Sequence, residues 1–400
     1  MREKAIWAVL HKSWEESQKH ERLLKTILMN ISGEQLWSAP EQELRHQFPD
    51  VPAEVWRCFV KRRAGTDLSK VESYLNLNNI DILLYSMPEY PAILREIHQP
   101  PAILYKKGNL ALQDLPELCI AVVGSRKADA YGLGVAQELG RDLSRADVCV
   151  ISGLARGIDA KAHEGSLEGP AGTVAVQGCG IDRVYPKQNT ALAEAILSHE
   201  RGCIVSEFPL GSEPLAWHFP QRNRIISGLA RGVVIVQAAV KSGAFITIET
   251  ALEQGKDVFA VPGQIHNPLS AGPHRFLQEG AKLTTSVNDI LEEYNHEPMT
   301  LFPELDVNAS VKTVSNSESK KSREDQYKSE ETPLPAVSLD VSLNEEESRV
   351  LQCITAEPIT IEELAYLCRM PIAQLMPVLS MLELYGLVQQ MIGRKYIRIG

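Results

Sequence analysis

Apolar residues recur every three or four positions in ERLLKTIL (21–28) and EVWRCFVKR (54–62), which predicts short amphipathic helices over residues 1 to about 75. The next stretch, LLYSMPEYPAILREIHQPPAILYKKGNL (83–110), is rich in proline. Each X-Pro disfavours helix just before it, so this passage reads as an ordered connector with short extended pieces. From Cys119 the pattern changes to short β-branched runs separated by helical stretches: CIAVV, VCVIS, TVAVQ, CIVSE, GVVIVQ and DVFAVP. Their apolar continuity suits strands covered on both faces by the intervening helices. The prediction is a doubly wound parallel α/β domain over about 118–295, with ligands bound beyond the carboxyl ends of its strands.

Between about 298 and 341 the chain, VNASVKTVSNSESKKSREDQYKSEETPLPAVS in its larger part, is poor in aromatics and rich in Ser, Glu and Lys. Such a composition buries too little to fold, and a disordered linker is expected. Periodicity returns in LNEEESRVLQCI, ITIEELAYLCRM and PIAQLMPVLSMLELYG, three expected helices, followed by LVQQMIGRKYIRIG, two short strands joined at Ile392-Gly393-Arg394. Three helices and a hairpin suggest a winged-helix-like module over 342–400.

A chain of 400 residues favours several cores over one. The net charge of −10 argues against indiscriminate coating of nucleic acid but leaves room for a local basic groove. No apolar run approaches the ~18 residues of a membrane span, and MREKAIWAVLHKSWEES turns charged too early for a secretory signal, so a cytoplasmic protein is expected. The seven cysteines form no C-x-x-C and read as small buried hydrophobes.

The heptapeptide ISGLARG occurs twice, at 151–157 and 226–232. The first copy follows a strand and precedes a helix. Ser152, Gly153, Arg156 and Gly157 therefore sit in a loop at the ligand edge, where glycine permits close approach and a helix N-terminus attracts anions. The second copy follows FPQRNR and precedes a strand, so it is expected on a helix that stops at Gly232. We read the repetition as coincidence. Gly124, Ser125, Arg126 and Lys127 end the first strand of the domain as a small pair followed by two cations, a plausible phosphate cradle. Gly132-Leu133-Gly134 falls inside the following helix, and Gln137 replaces the third glycine of G-x-G-x-x-G, so no dinucleotide cofactor is expected. Phe219, Arg222, Asn223 and Arg224 of FPQRNR suit phosphates plus a stacked base. A buried Phe beside a solvated helix start fits the same letters. Asp159 and His163, at i and i+4, are expected to form a structural pair rather than a metal site, and Cys179 is expected to be a turn residue, since no base adjoins it.

At these loops the sequence resembles the DNA-processing protein A family, DprA or Smf. The matching stretches are AVVGSR (121–126), ISGLARGID with Ala162-His163, Tyr185-Pro186, FPQRNRIISGL (219–229), SGAFIT (242–247), ALEQGKDVFAVPG (251–263) and LQEGAKL (277–283), together spanning about 85–285. The resemblance implies an extended Rossmann-like DNA-binding domain over 76–297, between a small helical N-terminal domain (1–75) and the linker and winged module. It implies binding and protection of single-stranded DNA, homodimerisation, help in loading the RecA recombinase during natural transformation and homologous recombination, and no catalytic residue, metal or cofactor. By that resemblance Gly124 to Lys127, Ser152 to Gly157, and Phe219 with Arg222, Asn223 and Arg224 form the groove. Gln237, Ile248-Glu249 and Pro273-His274 depart from the family's usual residues. PIAQLMPVLSMLELYG carries no cation, which speaks against base reading by that helix and favours a protein-contact role for the module; only Arg394, Lys395 and Arg398 stand near its hairpin. One enzymatic rival is a nucleotide N-glycosidase of the lysine-decarboxylase-like class, whose PGGxGTxxE loop corresponds to SGAFITIET. Thr250 stands there in place of the acid, which removes the general base. A transcription regulator acting through the winged module is the third reading.

Overall fold

A computed structural model describes residues 2–15, 21–240, 242–294, 345–354, 359–368, 370, 372–384, 387–391 and 395–398. The chain divides into two compact units, Met1–Asp306 and Val307–Gly400. The expected linker at 298–341 and the hairpin residues Ile392, Gly393 and Arg394 lie outside the described residues.

The first unit opens with six helices: α1 (Arg2–Glu15), α2 (Glu21–Asn30), α3 (Gly33–Ser38), α4 (Glu41–Gln47), α5 (Ala53–Ala64) and α6 (Leu68–Leu77). Ser32 caps α3 through a capping box with Gln35, and Asp67 caps α6 by accepting from Ser69 N–H. Trp7, Leu10, Trp56 and Phe59 are buried in a core that these helices share with Ile82, Ile103, Tyr105 and Ile204 of the neighbouring sheet. His11 joins the two parts: its Nδ1 lies 3.0 Å from the Tyr105 hydroxyl, and burial lowers its pKa to about 3.

The alternating segments follow: β1 (Asp81–Leu84), α7 (Ala92–Arg95), β2 (Ile103–Gly108), β3 (Cys119–Val123), α8 (Ala130–Arg145), β4 (Cys149–Ser152), α9 (Ile158–Ser166), β5 (Thr173–Gln177), α10 (Thr190–Ser198), β6 (Gly202–Ser206), α11 (His218–Gly228), β7 (Gly232–Ile235), α12 (Gly243–Glu253), β8 (Asp257–Ala260), α13 (Ala271–Gln278), β9 (Lys282–Leu283) and α14 (Val287–Leu291). The nine strands lie in the order β1-β2-β6-β5-β4-β3-β7-β8-β9. All six apolar runs are strands, and they pair in parallel, as a doubly wound sheet requires. β1 and β2 add an antiparallel edge beside β6. Both faces of the parallel strands are covered: Val123, Ile151 and Val176 belong to one buried cluster, Ile120, Val122 and Val150 to the other. The chain runs outward through β4, β5 and β6, then returns to place β7 on the other side of β3. That reversal makes the tips of β3 and β7 the switch point, where such sheets open a crevice.

One expectation needs correction. The second heptapeptide does not stay helical to Gly232: α11 ends at Gly228, where Leu229 N–H donates to Ile225 O. Arg231 N–H already donates to Cys119 O (2.9 Å), so the chain has joined the sheet before it reaches Gly232, the first residue of β7. Pairing with β3 and β8 on both sides outcompetes a further helical turn. All seven cysteines are free and five of them are buried.

The second unit contains α15 (Glu345–Cys353), β10 (Ile359–Thr360), α16 (Ile361–Cys368), α17 (Ile372–Leu384), β11 (Val388–Met391) and β12 (Lys395–Arg398). Its three helices enclose a core with Val350, Leu364, Leu379 and Tyr396, and β12 is the middle strand of a three-stranded antiparallel sheet, one strand more than the hairpin expected. This is the winged-helix arrangement.

Candidate functional site

The tips of β3, β4 and β7 and the start of α11 enclose a cleft of about 740 Å³, lined by Gly124, Ser125, Arg126, Lys127, Asp159, Phe219, Arg222, Asn223, Ser242 and Gly243 among others. A neighbouring hollow of about 470 Å³ shares Arg126, Tyr185, Phe219 and Arg222 and adds Gly153, Arg156 and Lys187. Between the two stands a stack of three side chains. The Arg126 guanidinium carbon lies 5.1 Å from the Phe219 ring centre, and the Tyr185 ring lies 5.6 Å from Phe219 on tilted planes.

The loop after β3 is fixed by its backbone. Ser125 N–H donates to Gln237 O (2.6 Å), Ile158 N–H donates to Ser125 O (3.2 Å), and Ser125 Oγ accepts from Lys127 N–H (3.0 Å). With the main chain held, the side chains of Arg126 and Lys127 stand in solvent. The loop after β4 is tighter. Gly157 takes φ 81° as the N-cap of α9, and a Cβ there would run into Ser125 O, so only glycine fits. Arg156 beside it is exposed, whereas Ser152 is buried and donates through Oγ to Val122 O (2.6 Å).

Of the cations in FPQRNR, Arg222 is 3% exposed. Its guanidinium donates to Gly153 O (2.8 Å) and Val176 O, and Asp159 lies against it. A Cβ on Gly153 would come within 2.7 Å of both Arg222 and Asp159, so a side chain there would part them. Burial lowers the Arg222 pKa to about 10, with Asp159 opposing the shift; burial raises that of Asp159, against the pull of Arg222. Arg222 therefore forms the floor of both hollows instead of reaching out. Asn223 is buried and reaches Gly243 O at 3.4 Å. Arg224 is absent from the lining of either hollow and pairs with the buried Glu207.

Asp159 and His163 do not pair with each other, contrary to the sequence expectation. Asp159 faces the N–H groups of Ala155 and Gly153 at the start of α9, which pull its pKa down against the effect of burial. His163 Nδ1 lies 2.7 Å from Thr173 Oγ1, whose proton goes to Val150 O; the ring therefore donates through Nδ1 and accepts Leu154 N–H at Nε2. Burial and the nearby Arg222 hold this neutral ring at a pKa of about 3. Cys179 Sγ reaches Gln177 Oε1 at 3.5 Å, and burial raises its pKa to about 11, which suppresses the thiolate.

Tyr185, Lys187 and the N-terminus of α12 also line the site, although composition and periodicity did not single them out. The Tyr185-Pro186 and SGAFIT (242–247) matches were the available hints. Among the described residues Arg126, Lys127, Arg156 and Lys187 form no ion pair. The arrangement thus offers free cations around an aromatic stack, and among the described residues of the lining the one carboxyl group, Asp159, is buried and drawn to Arg222.

Comparison with known proteins agrees with this architecture. The profile described as DNA recombination-mediator protein A matches residues 81–295, and that of the DprA winged helix domain matches 332–394. The chain is 35% identical over 281 residues to the DNA processing protein DprA of Bacillus subtilis, covering 70% of this chain and 88% of that one. It is 45% identical over 205 residues to the DprA of Streptococcus pneumoniae, covering 51% of this chain and 71% of that one. The X-ray structure of DprA from Streptococcus pneumoniae superposes with a TM-score of 0.60 at 35% identity, covering 70% of this chain and 96% of that one. Fold, motifs and relatives together establish that the chain belongs to the DprA/Smf family.

Proposed function

We propose that this protein binds single-stranded DNA along the carboxyl edge of its sheet, protects it, and helps to load the RecA recombinase onto it, in natural transformation and homologous recombination. The observation that carries the reading is the set of unpaired cations, Arg126, Lys127, Arg156 and Lys187, around the half-exposed Phe219. Single strands are held this way: cations neutralise phosphates while aromatic faces stack bases without regard to sequence. A local basic groove also accommodates the overall charge of −10, because binding depends on the field at the site. Family membership supports the recombination role, a homodimeric state and action in the cytoplasm; no helix among the described residues is long and apolar enough to cross a membrane.

In this reading Gly124, Ser125, Gly153 and Gly157 shape the loops, Arg126, Lys127 and Arg156 meet phosphates, Phe219 stacks, and Arg222 and Asn223 form the floor. Arg224 supports α11 through Glu207. Binding needs no metal, cofactor or bond-breaking step. The glycosidase alternative gains no support at α12, where Thr250 Oγ1 donates to Ile246 O within its own helix. Titrating full-length protein with single-stranded and duplex oligonucleotides of one sequence tests the reading. Preferential retention of the single strand is expected; equal or greater retention of the duplex contradicts it.

A further inference from the structure

The start of α12 lies in the same cleft with polar groups that no described residue engages. Ser242 is the N-cap of α12, in the extended conformation (φ −95°, ψ 156°) that lets a serine accept from the first-turn amides, yet its side chain makes no capping bond. Its Oγ is buried and has no hydrogen-bond partner among the described residues. The first turn of the helix, GAFI, contains no acidic residue, and Ser242, Gly243, Ala244 and Thr247 all line the cleft. A second observation is independent of the helix. Arg222, 3% exposed, lines this cleft, and its Nε is buried without a partner. Buried donors left this way call for a ligand, and a helix N-terminus opening into a cleft that a guanidinium group also lines favours an anion.

We propose that the N-terminus of α12, through the amides of Gly243 and Ala244 and the Ser242 hydroxyl, holds a second phosphate of the bound strand. This deepens the single-strand reading and rests on it. The cleft would then engage the backbone at two positions, at the Arg126–Lys127 loop by side-chain charge and at α12 by main-chain donors.

Gly243 gives a test that spares the fold. A Cβ there meets nothing within 4 Å, and the residue has no left-handed φ to preserve. Gly243→Asp places a negative charge in the first helical turn, which favours the helix but repels a phosphate; Gly243→Asn has the same shape without the charge. With a dT20 oligonucleotide at about 50 mM salt, the Asp variant is expected to bind about tenfold more weakly than the Asn variant, at equal or higher thermal stability. Equal binding by the two variants, with wild-type protein binding normally, overturns the α12 site and leaves the cleft reading intact. Wild-type protein that binds no oligonucleotide overturns both. A charge effect on thymidine monophosphate without one on dT20 would assign the helix end to a lone nucleotide and overturn the strand-phosphate proposal.

Discussion

Replacing Phe219 by leucine separates stacking from charge. The ring is half-exposed, with the Arg126 guanidinium 5.1 Å from its centre and Tyr185 at 5.6 Å. Gly178 lies beneath it, where a Cβ would approach Phe219 Cδ1 to 3.0 Å. Leucine keeps apolar bulk in that position, so the cost in stability should stay below ~1.5 kcal/mol. It has no face on which a base can stack. Stacking contributes ~1–3 kcal/mol per base, so affinity for dT20 should fall by about 5- to 150-fold. The phosphate contacts are untouched. With about four neutralised phosphates at ~0.7 each, log K against log salt should have a slope near −3 in both proteins, giving parallel lines. Fluorescence anisotropy across a salt series measures affinity and slope together. A variant that binds within twofold of wild type, or one whose slope flattens, would refute the stacking argument.

Other substitutions should leave different signatures. Arg126→Ala should reduce the magnitude of the salt slope by about 0.7, at a cost in stability of no more than the ~0.5–1 kcal/mol of its exposed contact with the Phe219 ring, because the side chain makes no ion pair among the described residues. Arg222→Ala should instead destabilise the fold by ~2–5 kcal/mol in urea unfolding, since it leaves two buried carbonyl oxygens without their donor; a change under ~1 kcal/mol would contradict the floor role. His163, with its pKa lowered to about 3, resists protonation while folded, so the unfolded chain binds more protons between about pH 6.5 and pH 3. Its contribution is complete above about pH 6.5 and is lost as pH falls, by up to ~1.4 kcal/mol per pH unit. His163→Gln should flatten the unfolding free energy over that range, and an unchanged pH dependence would count against a neutral buried ring.

The sequence disclosed the parallel sheet because both-face burial leaves continuous apolar runs, and all six became strands. β1 and β2 were harder to see: they lie in a proline-rich passage whose pattern says extended without saying paired. The second heptapeptide misled because helix propensity and strand pairing compete over Leu229 to Gly232, and pairing with β3 and β8 is nonlocal. Within the site, the loop residues Arg126 and Arg156 were legible as exposed cations. The letters of FPQRNR gave no means of telling that Arg222 turns inward to Gly153 O while Arg224 turns to Glu207. Asp159 and His163 share a helix face, but the groups they face come from β5, α11 and the preceding loop, which no spacing rule reports.

The central claim is that a single strand lies across the carboxyl edge of the sheet with a base against Phe219. Photocrosslinking of full-length protein to an oligo-dT strand bearing one 5-iodouracil, followed by mass-spectrometric mapping, tests this directly. The account predicts crosslinks at Phe219 or Tyr185 that disappear in Phe219→Leu. Crosslinks confined to α1–α6 or to the winged-helix unit, with none around the cleft, would contradict it.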